Sequence, residues 1–158
     1  MNWRKYCFVI LIALLSILSA CYIFSNSLQP SKESNVRSDK VITVVKGIID
    51  PQNHIPPEKM NFLVRKTAHV LEYAVLGVCL SGLCLYMGGK NGKSYLFMGL
   101  FFALATAVTD EYIQSFLDRN SQVTDVLIDF SGAVLGFLMV ELVYRLVVCV
   151  KRKKKSTK

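Results

Sequence analysis

The stretch Phe62–Tyr86, FLVRKTAHVLEYAVLGVCLSGLCLY, is long and apolar enough to cross a membrane, yet Arg65, Lys66, His69 and Glu72 interrupt its first half. Two other stretches share the pattern. Asp110, Glu111 and Gln114 interrupt Tyr95–Leu117, and Asp125 and Asp129 open a last apolar run that ends at Val150. An ionisable group at membrane depth costs about 2.5–3.5 kcal/mol on insertion scales, so it normally faces a protein interior or a watery cavity. Charges gathered in three apolar stretches of one small chain point to a site.

Working outward, a fourth apolar run covers Tyr6–Phe24. Each of the four stretches meets the requirement of about 20 apolar residues for crossing a bilayer. The chain has 158 residues, 53% of them hydrophobic, and a positive mean hydropathy, a composition unusual for a soluble domain. Residues 1–158 therefore read as one membrane domain with no room for a separate soluble one. In lipid every backbone polar group must be satisfied within its own segment, which excludes an open sheet. The expected fold is all-α: a polytopic bundle of four transmembrane helices at about 6–24, 62–86, 95–117 and 126–150, joined to a long loop at 25–61 and a basic tail at 151–158.

The net charge of +8 is concentrated at the ends. Arg4 and Lys5 precede the first span, and Lys151-Arg152-Lys153-Lys154-Lys155 follow the last. Basic residues flanking spans stay in the cytoplasm. Four spans put both termini on one side, so a cytoplasmic N-terminus and a cytoplasmic C-terminus agree, with Lys90 and Lys93 in the short loop also inside. The long loop mixes Lys32, Arg37, Lys40, Lys46 and Lys59 with Glu33, Asp39, Asp50 and Glu58 and is expected outside. At the end of a span the basic tail reads as an anchor to anionic lipid, with no nucleic-acid partner.

Cys7, Cys21, Cys79, Cys84 and Cys149 all lie in or beside apolar runs without CxxC spacing. They read as small hydrophobic fillers. Leu18-Ser19-Ala20-Cys21 fits a lipoprotein cleavage site, but the apolar run continues through Tyr22-Ile23-Phe24, so an uncleaved first helix is expected. Within the long loop, Val41, Val44, Val45, Ile48 and Ile49 recur at helical spacing opposite Lys40, Thr43, Lys46 and Gly47. That predicts a short amphipathic helix at the membrane surface, ended by Pro51, with Pro56-Pro57 leading into the second span.

At about 1.5 Å rise per residue, Lys66 lies roughly 8 Å and Glu72 roughly 16 Å below the start of the second span. Asp110 and Gln114 lie about 10 Å and 4 Å below the outer end of the third, and Asp125 and Asp129 at and just below the outer end of the fourth. All fall in the outer half of the membrane. Lys66, His69 and Glu72 step by three along one face. Ala103, Ala107, Asp110 or Glu111, and Gln114 follow three-four spacing, as do Asp125, Asp129, Gly132 and Gly136. Gly132-x-x-x-Gly136 admits a close neighbouring helix.

Arg65 to Tyr73 (RKTAHVLEY), Asp110 to Phe116 (DEYIQSF), Arg119, and Asp125 to Asp129 (DVLID) with Gly132 and Gly136 resemble the signature of the VanZ-like membrane family. Ser25-Asn26-Ser27 resembles that family's Ser-Ser-Gln element only loosely and lacks its glutamine, so no role is carried over to it. The resemblance implies a bacterial cytoplasmic-membrane protein linked to tolerance of lipoglycopeptides such as teicoplanin. Those drugs act on lipid-linked cell-wall precursors at the outer face, so membrane lipids, such a precursor or the lipoglycopeptide itself are the partners it implies.

Three readings of the polar residues compete. In the first, Lys66 and Arg119 neutralise Glu72, Asp110, Glu111 or Asp129 in a purely structural network, although buried ion pairs are often neutral or costly for stability. In the second, Arg65, Lys66 and Arg119 take the phosphate of an anionic lipid head group, with His69, Glu72, Asp110, Glu111, Gln114, Asp125 and Asp129 around the rest of it. In the third, His69, Glu72, Asp110 and Glu111 perform acid–base catalysis or hold a divalent metal. No Ser-His-Asp order, P-loop or HExxH sharpens the enzyme reading, and the identity of any metal or cofactor is left open.

Single cysteines placed at Ser31 and at Ser156 should differ in labelling by an impermeant thiol reagent on intact cells, only the Ser31 position reacting. Equal labelling, or the reverse pattern, would sink the topology.

Overall fold

A computed structural model describes residues 3–29, 41–47, 49–50, 54–88, 92–117 and 122–156. Its elements are α1 (Trp3–Ser27), a short α2 (residues 41–47), α3 (Pro57–Gly88), α4 (Gly92–Ser115) and α5 (Val123–Ser156), with no strand among the described residues. Four of the helices are long and apolar enough to cross a membrane, and the protein is a multi-pass membrane protein. Leu14, Phe101, Leu138 and Leu142 are among the many large apolar side chains left exposed on the bundle surface, as contact with lipid requires.

Helix ends differ from the expected spans for local reasons. α3 begins at Pro57 rather than Phe62, because a proline suits a first helical position where its missing N–H costs nothing. α4 stops at Ser115 rather than Leu117: Phe116 and Leu117 fold back in a turn, their amides donating to Ile113 and Gln114 carbonyls at 3.2 and 3.0 Å. α5 begins at Val123, with Asp125 in a first turn that favours negative charge. It continues through the basic segment to Ser156, where lysines suit the negative end of the helix dipole. α2 confirms the short helix in the long loop, with Val41 and Val44 exposed; Lys40 and Ile48 lie outside the described residues. After it, Asp50 accepts from the amides of Ile55 and His54 at 2.7 and 2.9 Å. Those donors hold the Asp50 carboxyl below its usual range, so the turn's hydrogen bonds favour the ionised carboxylate and weaken only as pH falls through that lowered value.

α3 is the hub, packing on α1, α4 and α5, most extensively on α5. The α3–α5 crossing has almost no side chain in it. A Cβ on Gly132 would meet the Val70 backbone, one on Gly136 the backbone of Ala74 and Val78, and one on Gly77 the backbone of Ala133. Association in lipid relies on such packing, since tails are as apolar as leucine. Around the crossing, Ile23, Tyr73, Leu76, Ala103, Ala107 and Ala133 form the buried apolar core. The facing expected for Ala103 and Ala107 is therefore observed.

Gly136→Leu should force α3 and α5 apart and cost roughly 3 kcal/mol, as overpacking does. Gly47→Ala, with nothing within 4 Å of the new methyl, should be neutral or stabilising by up to about 1 kcal/mol. Thermal unfolding in detergent reads both; equal midpoints would refute the crossing.

Candidate functional site

The up-and-down order of the helices brings four ends together: the last turn of α1, the first third of α3, the last turns of α4 and the first turns of α5. Nearly every polar residue singled out above lies there. Asp110 is fully buried, and Asp129, Glu111 and Gln114 nearly so, while Lys66, His69, Glu72 and Asp125 are half-buried around them.

At the edge, Lys66 of α3 pairs directly with Asp125 of α5, and its Nζ lies 5.6 Å from the centre of the Phe62 ring one turn earlier. Further in, His69 Nδ1 stands 4.0 Å from Glu72 Oε2 on the same helix. Gln114 of α4 donates through Nε2 to its own helix at Asp110 Oδ2, 2.9 Å, and to Ser27 Oγ of α1 at 3.2 Å. Tyr73 lies within electrostatic reach of Asp110, Asp129, Glu111 and Glu72, and Asp129 within reach of Asp110, Glu111 and Lys66. Both carboxylates of α4, rather than one of the two, thus belong to the cluster.

Two residues not assigned a role from sequence prove central. Asn26 donates through Nδ2 to Glu72 Oε1 at 2.9 Å, and Ser27 is fully buried against Gln114. The signal was present as a polar triplet closing an apolar run. Tyr73, next to Glu72 in sequence, is also fully buried, and its hydroxyl has no hydrogen-bond partner among the described residues.

The charge pairing differs from the network reading. Lys66 is taken by Asp125, not by Glu72, Asp110, Glu111 or Asp129, because those acids sit deeper than a lysine one turn nearer the helix start. Arg65 is half-buried and outside the ion pairs that the described residues form. Arg119 lies outside the described residues. Deeper than Lys66, the His69 imidazole lies close to carboxyl groups from three helices: Glu72 on its own helix, Asp110 of α4 and Asp129 of α5. His69, Asp110 and Asp129 each present one ligand atom such that the three lie within 4.8 Å of one another, close enough for a shared cation.

A sequence-family model described as VanZ/LLP1 matches residues 8–144, a range that covers most of the four spanning helices and every cluster residue named above. No curated protein and no solved structure shows significant similarity.

Lys66→Met should destabilise the bundle by about 2 kcal/mol, between the values of buried and exposed pairs, because it strands a half-buried Asp125. Adding Asp125→Asn should recover most of the loss, read as unfolding midpoint in detergent; a double variant no better than the single would refute the pair.

Proposed function

Because the chain belongs to the VanZ/LLP1 family, and so is a VanZ-like protein linked to teicoplanin resistance, we propose that its polar cluster receives the anionic head group of a lipid-linked envelope molecule at the outer face of the bacterial cytoplasmic membrane. In this reading both termini are cytoplasmic, and the cluster opens where α1 ends and α3 begins. The observation that carries it is the convergence of polar side chains from all four spanning helices on one end of the bundle. Side chains of this cost at membrane depth are kept for binding or chemistry.

The parts divide by charge. Arg65 and Lys66 are consecutive, half-buried residues in the first third of α3; in this reading the Arg65 guanidinium holds the phosphate bidentately, with Lys66 and Arg119 beside it. The carboxylates and Gln114 offer acceptors to sugar hydroxyls or amines deeper in. One observation favours a second reading, an acid–base or metal-assisted reaction on the same molecule: the imidazole of His69 lies 4.0 Å from the Glu72 carboxylate, so a side-chain rotation of under an ångström would bring the two into the contact a proton relay needs.

The test is the teicoplanin dose–response of cells expressing the protein, at matched membrane levels. Arg65→Gln, His69→Gln and Glu72→Gln should each abolish any shift conferred by the wild type, with protein levels nearly normal. In vitro, Arg65→Gln should weaken binding of a polyprenyl phosphate on the order of tenfold, the worth of one charge-assisted hydrogen bond. Loss of the protein itself, rather than of its effect, would return the cluster to a purely structural network.

A further inference from the structure

The buried oxygens of the cluster with no hydrogen-bond partner among the described residues include the Tyr73 hydroxyl, fully buried, and Oδ2 of Asp129, whose residue is 2% exposed. Buried polar atoms are almost always satisfied, so each such exception calls for a physical cause. A carboxylate oxygen can be satisfied only by a donor or a cation. The lysine nearest in sequence pattern, Lys66, is already joined to Asp125. Asp129 instead shares its space with Asp110 and His69, their ligand atoms within 4.8 Å of one another.

We propose that His69, Asp110 and Asp129 form a divalent-cation site built from three helices, α3, α4 and α5. Two ligands on opposite sides of one ion stand about 4.2 Å apart at bond lengths near 2.1 Å. Three ligands on one ion cannot all be opposite one another and stand at most about 3.6 Å apart at that bond length, so atoms now within 4.8 Å of one another close in by about an ångström when the ion binds, through rotation of their side chains. One imidazole nitrogen with two carboxylates is a nitrogen–oxygen set, suited to Mn2+ or Zn2+ and unsuited to thiolate-seeking ions. The Tyr73 hydroxyl, unpartnered beside Asp110 and Asp129, is placed to hold a water on the ion. Three protein ligands leave positions open to water or to an incoming oxygen, as in sites that handle a substrate.

The cation also eases an electrostatic conflict. A divalent ion among these carboxyl groups offsets part of their negative charge and presents an open coordination position to an incoming phosphate. This second half, phosphate on the cation, rests on the head-group reading above. The cation itself does not.

The full chain, purified in detergent and stripped with chelator, is titrated with Mn2+ while free Mn2+ is followed by its paramagnetic resonance signal. One Mn2+ per chain should bind, with Zn2+ competing. Asp129→Asn and His69→Gln, both close in shape to the native residue, should each weaken binding at least tenfold, whereas Glu141→Gln on the exposed face of α5 should not. Absence of binding by wild type, or binding that both cluster variants retain, overturns the site. Polyprenyl phosphate binding is then measured with Mn2+ and with chelator. Tenfold tighter binding with the ion supports the second half. Lipid bound equally in both overturns that half and spares the head-group reading, while Mn2+ bound with no lipid under either condition overturns the head-group reading and spares the cation.

Discussion

Backbone-to-backbone contact between α3 and α5 is the constraint on which the rest of the bundle depends. Lipid supplies no hydrophobic force to drive helices together, so close packing must do it. Gly132 and Gly136 on one helix and Gly77 on the other remove the side chains that would hold the axes apart. The register this sets is also the register of the charges. With Gly132 against Val70, the neighbouring His69 comes to Asp129 one turn away, and Lys66 a further turn along comes to Asp125. A bundle with leucines at those three positions would have its polar residues on the same faces but too far apart to meet.

Against that fixed pair, α1 and α4 are tied in by hydrogen bonds. Asn26 reaches Glu72 on α3, and Ser27 meets Gln114 on α4. Interhelical hydrogen bonds of this kind contribute roughly 0.6 kcal/mol on average in membranes, so their value lies less in strength than in choice of partner and rotation. At the opposite end the contacts are of another type: Gly99 lies under Cys84 and Phe137, and the Cys84 thiol donates to the Tyr95 carbonyl at 3.0 Å. One end of the bundle is specified by polar pairs, the other by shape.

The sequence made the four helices and their inward faces legible because hydropathy and three-four spacing are local properties. Ala103, Ala107, Asp110, Gln114, Asp129 and Gly132 could be put on buried faces without knowing any neighbour. Partner choice was not local. Lys66 had several acids at similar depth, and only the α3–α5 register decides for Asp125. Asn26 and Ser27 were passed over because a polar triplet after an apolar run also marks an ordinary span boundary, and its fit to a familial element was loose. Tyr73 stood within the family-like stretch Arg65 to Tyr73, but its burial was not legible there, since a tyrosine in an apolar helix is as readily lipid-facing as buried.

The distribution of the cluster over four helices has a consequence for synthesis. Helices reach the membrane in chain order, so Asn26 and Ser27 are already in place when Glu72 arrives, whereas Lys66 enters long before Asp125 and His69 long before Asp129. Until α5 emerges from the ribosome, the lysine and the imidazole are held in the membrane without the aspartates they meet in the finished bundle. A nascent chain halted before its last helix therefore holds Lys66 and His69 in the membrane without Asp125 and Asp129, and completion of α5 is the step that supplies them.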